Sequence, residues 1–466
     1  MARIAGIAGM TTPEEESLVS TMLDKSAHRG THHRKTINSP GIIMQAGWNE
    51  VESQPIPRSL MDQAVWDGLS VPIPSSASLA AQKTPFALAA MTADGLLLAR
   101  DRIGVKPLYY GPCSVGMAFA SEVKSLLPAT RQIHELPTGK MLLAGRTINI
   151  HYEPSIQILP HEDVANTANG LRLRLEQAIA RCVQQDEMGS WLSGGLDSSA
   201  IAALARPFVR RFHSFVSGVD GAEDLIYGRQ MAEYLGTEHH ELKVTQTDML
   251  DALPDVIYHL ESFDALLVRS SVTNYLTAKM ASNYVESVFS GEGGDELFAG
   301  YEYIKSLPED QIQGELLEII HRLHNTALQR VDRCSQAHGL TAFIPFLDPD
   351  VLDYALAIPV RYKLFRDTQP PVEKWILRKA VEDVLPASVL WRPKSKFWQG
   401  AGVVDLMEQY AEQNISDADF KRERNLSNGW KLNSKEEFMY FRIFLDHFGE
   451  LENLDWMGRT KGAPVT

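Results

Sequence analysis

The chain is poor in cysteine: 466 residues carry only Cys113, Cys182 and Cys334, far apart and without a Cys-x-x-Cys spacing. A disulfide framework and a thiolate zinc site are therefore not expected, and a reducing, cytoplasmic setting is. Long apolar runs are missing too, since no stretch reaches the ~18 residues that a membrane span needs. The short apolar opening, Met1 to Met10, runs straight into Thr11, Thr12, Pro13 and three glutamates, unlike a secretory signal. Positive charge is scarce: 45 Lys and Arg face 59 Asp and Glu, for a net charge of −14. A field of that sign repels phosphate backbones, so no nucleic-acid partner is expected. Internal repeats and low-complexity tracts are also absent.

What is present is an average globular composition, 44% hydrophobic and 22% charged, in a chain longer than the ~250–300 residues at which one core stops growing. Two domains are expected, 1–160 and 161–466. The first reads as short strands and turns, for instance Gly41 to Ala46 and Gly95 to Ala99, with Pro- and Ser-rich punctuation at Val71–Ser78. After Pro160 the texture changes. Leu171, Leu175, Ala178 and Ile179 recur at helical spacing within Ala165–Val183, and helices then alternate with strands at Met188–Leu192, Phe212–Ser217, His240–Val244 and Ser287–Ser290. The pattern predicts an α/β fold with a parallel sheet covered by helices on both faces, and no strand beyond Tyr301.

Two glycine-rich loops carry the chemistry. In Trp191-Leu-Ser-Gly-Gly-Leu-Asp-Ser-Ser-Ala200 a strand meets a helix. Gly194 and Gly195 let backbone N–H groups approach an anion, Ser193, Ser198 and Ser199 add hydroxyls, and the helix start adds its positive end. The guest expected is a nucleotide phosphate. The loop lacks the Gly-Lys-Ser/Thr ending of a Walker loop and holds Asp197 instead, which beside phosphates requires a divalent cation such as Mg²⁺. The second loop, Ser290-Gly-Glu-Gly-Gly-Asp-Glu-Leu-Phe-Ala-Gly-Tyr301, also follows a strand. At the carboxyl ends of parallel strands both loops would face one crevice, with Asp295 as a second Mg²⁺ ligand and Glu292 free to handle a proton or an amine.

With both loops, the chain resembles the asparagine synthetase family. The likeness extends over His213-Ser-Phe-Val-Ser-Gly218, Asp255-Val-Ile-Tyr-His-Leu-Glu261, Arg330-Val-Asp-Arg333, Ile344-Pro-Phe-Leu-Asp348, Glu373-Lys-Trp-Ile-Leu-Arg-Lys379 and Leu390-Trp-Arg-Pro-Lys394. Gly6-Ile-Ala-Gly9, His28-Arg-Gly30, Leu98 to Tyr110 and Ala120-Ser-Glu-Val-Lys124 look like the family's glutaminase domain. The resemblance implies a shortened class II glutamine amidotransferase-like α+β sandwich, then an ATP pyrophosphatase domain of the adenine nucleotide α-hydrolase type with a helical C-terminal extension. It implies a substrate carboxylate activated by Mg-ATP as an acyl-adenylate and an amine that displaces AMP. Carried over by residue, Leu192 and Ser217 flank the adenosine, and Ser193, Gly194, Gly195 and Ser199 hold pyrophosphate. Ser290 and Gly291 touch the nucleotide, and Asp197 and Asp295 hold Mg²⁺. Glu292 serves amine attack, Asp332 orients it, and Lys394 stabilises developing charge.

The pattern breaks at two places. The family's nucleophilic N-terminal cysteine is replaced by Ala5, with residues ahead of it, and the glutamine-binding Asn-Gly-Glu-Ile-Tyr-Asn segment is missing between Gly47 and Pro85. Glutamine hydrolysis is not expected. In the acceptor pocket, Asp264-Ala-Leu-Leu-Val-Arg269 puts Leu266 and Leu267 where asparagine synthetases have hydroxyls, and Thr341 and Phe343 replace a Glu and an Arg. Each lost hydrogen-bonding group costs roughly 1–3 kcal/mol toward a small polar substrate. A longer, more apolar amino-acid-like substrate is expected, with Arg269 kept for its carboxylate. The chain thus also resembles β-lactam synthetases, the tabtoxin type included, and lasso-peptide cyclases, in which an amine of the same molecule closes a ring. Ring closure in specialised-metabolite biosynthesis is the first expectation, ammonia-dependent asparagine synthesis the alternative. A non-catalytic regulator is disfavoured by the retained acids, and a homodimer is an admissible assembly.

Overall fold

A computed structural model of the chain describes residues 2–10, 12–49, 63–69, 73–143, 145–150, 163–392, 401, 406–427 and 429–460. The early strands pack as two antiparallel sheets. One has six strands in the order β2-β3-β1-β8-β7-β9, built from β1 (Ala2–Gly9), β2 (His33–Ser39), β3 (Ile42–Trp48), β7 (Tyr109–Cys113), β8 (Gly116–Ala120) and β9 (His134–Glu135). The other has five in the order β11-β10-β6-β5-β4, from β4 (Ala64–Gly68), β5 (Phe86–Thr92), β6 (Gly95–Arg100), β10 (Lys140–Leu143) and β11 (Arg146–Asn149).

Alternation along a strand sends successive side chains to opposite faces. Ile4 of β1 accordingly joins Met44, Val65, Leu98 and Phe119 between the sheets. Ala5 and Ile7 face the other way, onto Val19, Met22 and Leu23 of helix α1 (Pro13–Asp24). That outer core is shared with the second half of the chain. It continues into Leu253 and Ile257 of a helix at Gln246–Leu260 and Phe438 and Phe444 of one at Lys435–Phe448.

From residue 187 a five-stranded parallel sheet forms, in the order β14-β13-β12-β15-β16. Its strands are β12 (Glu187–Trp191), β13 (Arg211–Gly218), β14 (Glu238–Lys243), β15 (Ser287–Phe289) and β16 (Thr341–Phe343). Helix α2 (Val164–Cys182) buries Leu171, Leu175, Ala178 and Ile179, the stripe its spacing predicts, and Asp163 caps it by accepting from Asn166 N. Four helices position the site: α3 (Leu196–Ala205), α4 (Glu223–Leu235), α5 (Gln246–Leu260) and α6 (Ala265–Ala281). A further helix, α7 (Ala327–Gln336), has nearly every side chain buried, because it lies between the two halves of the molecule.

Strands do occur beyond Tyr301, contrary to expectation. Thr341–Phe343 pairs with β15 as the fifth strand, and Leu364–Phe365 pairs with Val372–Glu373. Segments of two or three residues are too short to show a period. The expected boundary at residue 160 lies outside the described residues.

Candidate nucleotide and acyl-transfer site

Three adjacent strands of the parallel sheet end on one rim. Strand β12 delivers Leu192 and Ser193, β13 delivers Ser217, and β15 delivers Ser290 and Gly291, so the sheet topology gathers these residues. Gly194 takes φ 68°, and a Cβ there would lie 2.4 Å from Tyr227. Gly195 caps α3, whose first-turn N–H groups face the crevice end. Ser193 and Ser198 Oγ lie 3.2 Å apart, while Ser199 Oγ is buried without a hydrogen-bond partner. Leu192 is fully buried, and Ser217 accepts from Thr277 Oγ1 at 2.6 Å. Arg392 stacks on Tyr227, donates to Ser193 O at 3.0 Å and pairs with Asp224 at 3.0 Å, which ties the loop to α4.

The two loops touch. A Cβ at Gly291 would come 2.7 Å from Ser198 N, and one at Gly294 would come 2.5 Å from Asp197 Oδ1. That closeness sets Asp197 beside Asp295, and the Lys374 ammonium bridges them, 2.5 Å from each carboxylate. Burial would lower the lysine's pKa, but the two carboxylates outweigh it and hold it above the ordinary range. Lys374 sits in left-handed backbone at φ 56°. It lies in the Glu373–Lys379 stretch of the family likeness, but its partner Asp197 is 177 residues away, so sequence spacing gives it no role.

Two carboxylates already sharing one cation form a hard-oxygen donor set that fits Mg²⁺ once phosphates add theirs, and the orphaned Ser199 hydroxyl fits an incoming phosphate oxygen. Field strength is visible at the neighbouring Glu296. Burial and the nearby Asp295 and Glu292 carboxylates push its pKa up to about 7, and Tyr301 donates to it.

Glu292 lies in the second loop as expected, but its partner differs. Arg330 of α7 donates to Glu292 Oε1. Asp332 points the other way: Arg29 Nη1 donates to its Oδ2 at 2.7 Å and Arg29 Nη2 to its Oδ1 at 3.1 Å. The expected pairing of Asp332 with Glu292 is therefore corrected. Two residues along a helix is about 200° of rotation, which sends Arg330 and Asp332 to opposite faces. Lys394 lies outside the described residues.

The residues expected at the acceptor pocket have partners within the chain. Asp264 caps α6, accepting from Leu267 N at 2.9 Å and from Thr460 Oγ1 at 2.8 Å. Leu267 is buried in the helical core. Arg269 donates to Glu436 and, at 3.3 Å, to Glu408, so its charge is compensated within the chain. Phe343 packs on Phe289, with ring centroids 6.2 Å apart, and lines a cavity of ≈70 Å³ with Leu328, Val331, Asp332, Val105 and Lys106, between the two halves of the chain. Leu266, at the start of α6, is not among that cavity's lining residues.

In the first half of the chain, Ala5 is completely buried in the middle of β1, opposite Gln45 and Ala120. Residues Ala2 to Ile4 extend the strand, and Ala2 N donates to Asp67 Oδ1 at 3.1 Å.

A parallel α/β sheet with two glycine loops meeting over a shared cation is the architecture of a phosphate-handling enzyme. More closely, the chain belongs to the asparagine synthase family, which matches residues 170–311 and 305–455, and a glutamine amidotransferase domain matches residues 79–181. Family members are ATP-dependent ligases that form C–N bonds with release of AMP and pyrophosphate. The chain is 34% identical over 385 residues to asparagine synthetase B [glutamine-hydrolyzing] of Escherichia coli (strain K12), covering 78% of this chain and 69% of that one. It is 34% identical over 383 residues to asparagine synthetase [glutamine-hydrolyzing] 2 of Lotus japonicus, covering 76% and 64%. It is 34% identical over 389 residues to a probable asparagine synthetase [glutamine-hydrolyzing] of Dictyostelium discoideum, covering 76% and 69%. The chain thus spans just under two thirds of the plant relative. Among the described residues no helix is long and apolar enough to cross a membrane.

Proposed function

We propose that this chain is an ATP-dependent amide synthetase of the cytoplasm that uses no glutamine and makes asparagine from aspartate and free ammonia. The observation that carries this is the combination of an intact two-loop site with Ala5 buried in mid-strand. The names of the relatives support aspartate as the acid; the alanine removes the thiol that a cysteine-based glutaminase needs.

Ser193, Gly194, Gly195, Ser198 and Ser199 hold the phosphates at the start of α3, and Leu192, Ser217, Ser290 and Gly291 border the nucleoside. Asp197 and Asp295 would hold Mg²⁺, which supplies charge neutralisation to the phosphates when bound. Lys374 adds a fixed positive charge there. Glu292, anchored by Arg330, takes a proton from the amine nitrogen as it attacks the activated carbonyl, and by resemblance Lys394 would stabilise the developing charge.

A second reading is favoured by one observation, the apolar wall that Phe343, Val331 and Leu328 give the cavity, which agrees with the more apolar substrate expected from the sequence. It is intramolecular ring closure of the β-lactam synthetase kind, in which tethering replaces ammonia. Purified protein with Mg-ATP, aspartate and ammonium, assayed for asparagine, AMP and pyrophosphate, separates the two. Asparagine formed with ammonium but not with glutamine supports the first. AMP release with a diamino acid, a product lighter by one water, and no asparagine would replace it with the second.

A further inference from the structure

The first domain has lost the chemistry of a glutaminase yet keeps His28-Arg-Gly30, and the structure shows where that arginine goes. Arg29 is fully buried in a cluster of charges at the contact between the two halves. Its guanidinium makes the two-pronged contact with Asp332 of α7 and also meets Asp67 at 3.0 Å and Glu122 at 3.0 Å. Lys106 and Arg333 complete the set around Asp332, at 4.0 and 3.0 Å. Burial alone would raise the pKa of Asp332, but Arg29 and Lys106 pull it down to about 2. On the opposite face of the same helix Arg330 holds Glu292.

We propose that Arg29 of the first domain is a positioning residue for the acyl-transfer step: by clamping Asp332 it fixes the rotation of α7, and with it the Arg330 that holds Glu292. The fork geometry makes the contact directional, since two parallel N–H···O bonds fix orientation where a single charge would not. This rests on the proposed role of Glu292 as the group that serves amine attack. Adenylation is carried by Ser193 to Ser199, Asp295 and Lys374 and does not use Glu292, so the two steps can be read separately.

The test compares Arg29→Gln, Asp332→Asn and Asp67→Asn in the full chain, with Mg-ATP, aspartate and ammonium. Asp67 touches Arg29 but not α7, so it controls for loss of buried charge. For Arg29→Gln and Asp332→Asn, amide formed per pyrophosphate released is expected to fall at least tenfold with KM for ATP unchanged, whereas Asp67→Asn keeps the wild-type ratio. Hydrogen exchange of residues 327–336 is the second readout and needs no turnover. It is expected to speed up in the first two variants and not in the third. Unchanged exchange in a folded Arg29→Gln, or equal loss in Asp67→Asn, overturns the proposal. A wild-type chain that releases no pyrophosphate refutes the ligase reading alone, because the exchange pattern still decides the clamp. If Arg29→Gln does not fold, Asp332→Asn carries the same two readouts.

Discussion

Lys374 concentrates the energetics of the site in one side chain. A buried lysine in left-handed backbone costs on the order of 1–2 kcal/mol in conformation alone, and burial penalises its charge further. The two aspartates offset both. Each needs a counter-charge when no nucleotide is bound, and Gly300 leaves the room, since a Cβ there would meet the lysine Cε at 2.2 Å. Lys374→Met keeps an unbranched side chain, one atom shorter, but leaves Asp197 and Asp295 facing each other and the phosphates. ATP-dependent pyrophosphate release is expected to drop at least a hundredfold, with the far-UV spectrum unchanged. Release within threefold of wild type would show that Mg²⁺ alone neutralises the pair.

Elements were legible in the sequence in proportion to how local their signals are. Strand, Gly-Gly and helix follow one another within ten residues, so Ser193 to Ser199 could be placed from the text of the chain, as could the stripe on α2. The contacts that finish the site join distant segments: Arg330 reaches Glu292 across 38 residues, Lys374 reaches Asp197 across 177 and Arg29 reaches Asp332 across 303. Sequence spacing carries no trace of such pairs. The partners of Asp264 and Arg269 were hidden for the same reason, because Thr460 and Glu436 come from the C-terminal segments.

How α5, α6 and α7 meet the first domain makes a prediction about pH. His259 near the end of α5 stacks edge-on against His28 at 4.5 Å, and Tyr275 of α6 lies 4.4 Å from His338 just after α7. Burial pushes His338 down to about 4 and His259 to about 2, with Lys279 and Lys124 nearby adding to it and Asp255 and Glu122 opposing it. In the unfolded chain both titrate near ~6.5. Below that pH the unfolded state binds more protons, so stability present at neutral pH is lost as pH falls toward 4 and beyond, by at most about 1.4 kcal/mol per pH unit for each group. Melting temperature should decline between pH 7 and pH 5, and His338→Phe should flatten that decline. An equally steep decline in the variant would exclude His338 as a source.

At the scale of the whole molecule the question is what the first domain is for. Its outer core is continuous with the helical core of the second half, and its buried charges interlock with α7. Restoring the missing cysteine should therefore not restore a glutaminase. In Ala5→Cys the new sulfur would enter the packed core formed with Val19, Met22 and Leu23, an insertion that typically costs about 1–3 kcal/mol. Its backbone nitrogen is a peptide amide, not a free amine, and burial in apolar surroundings raises a thiol's pKa, so no thiolate would form. Purified Ala5→Cys given glutamine is expected to release no glutamate above the wild-type background and to melt at a lower temperature. Glutamate release at a rate matching amide formation would mean that β1 opens to a glutamine pocket. The buried register of Ala5 against Gln45 and Ala120 argues against that opening, and for a domain kept for the contacts it makes.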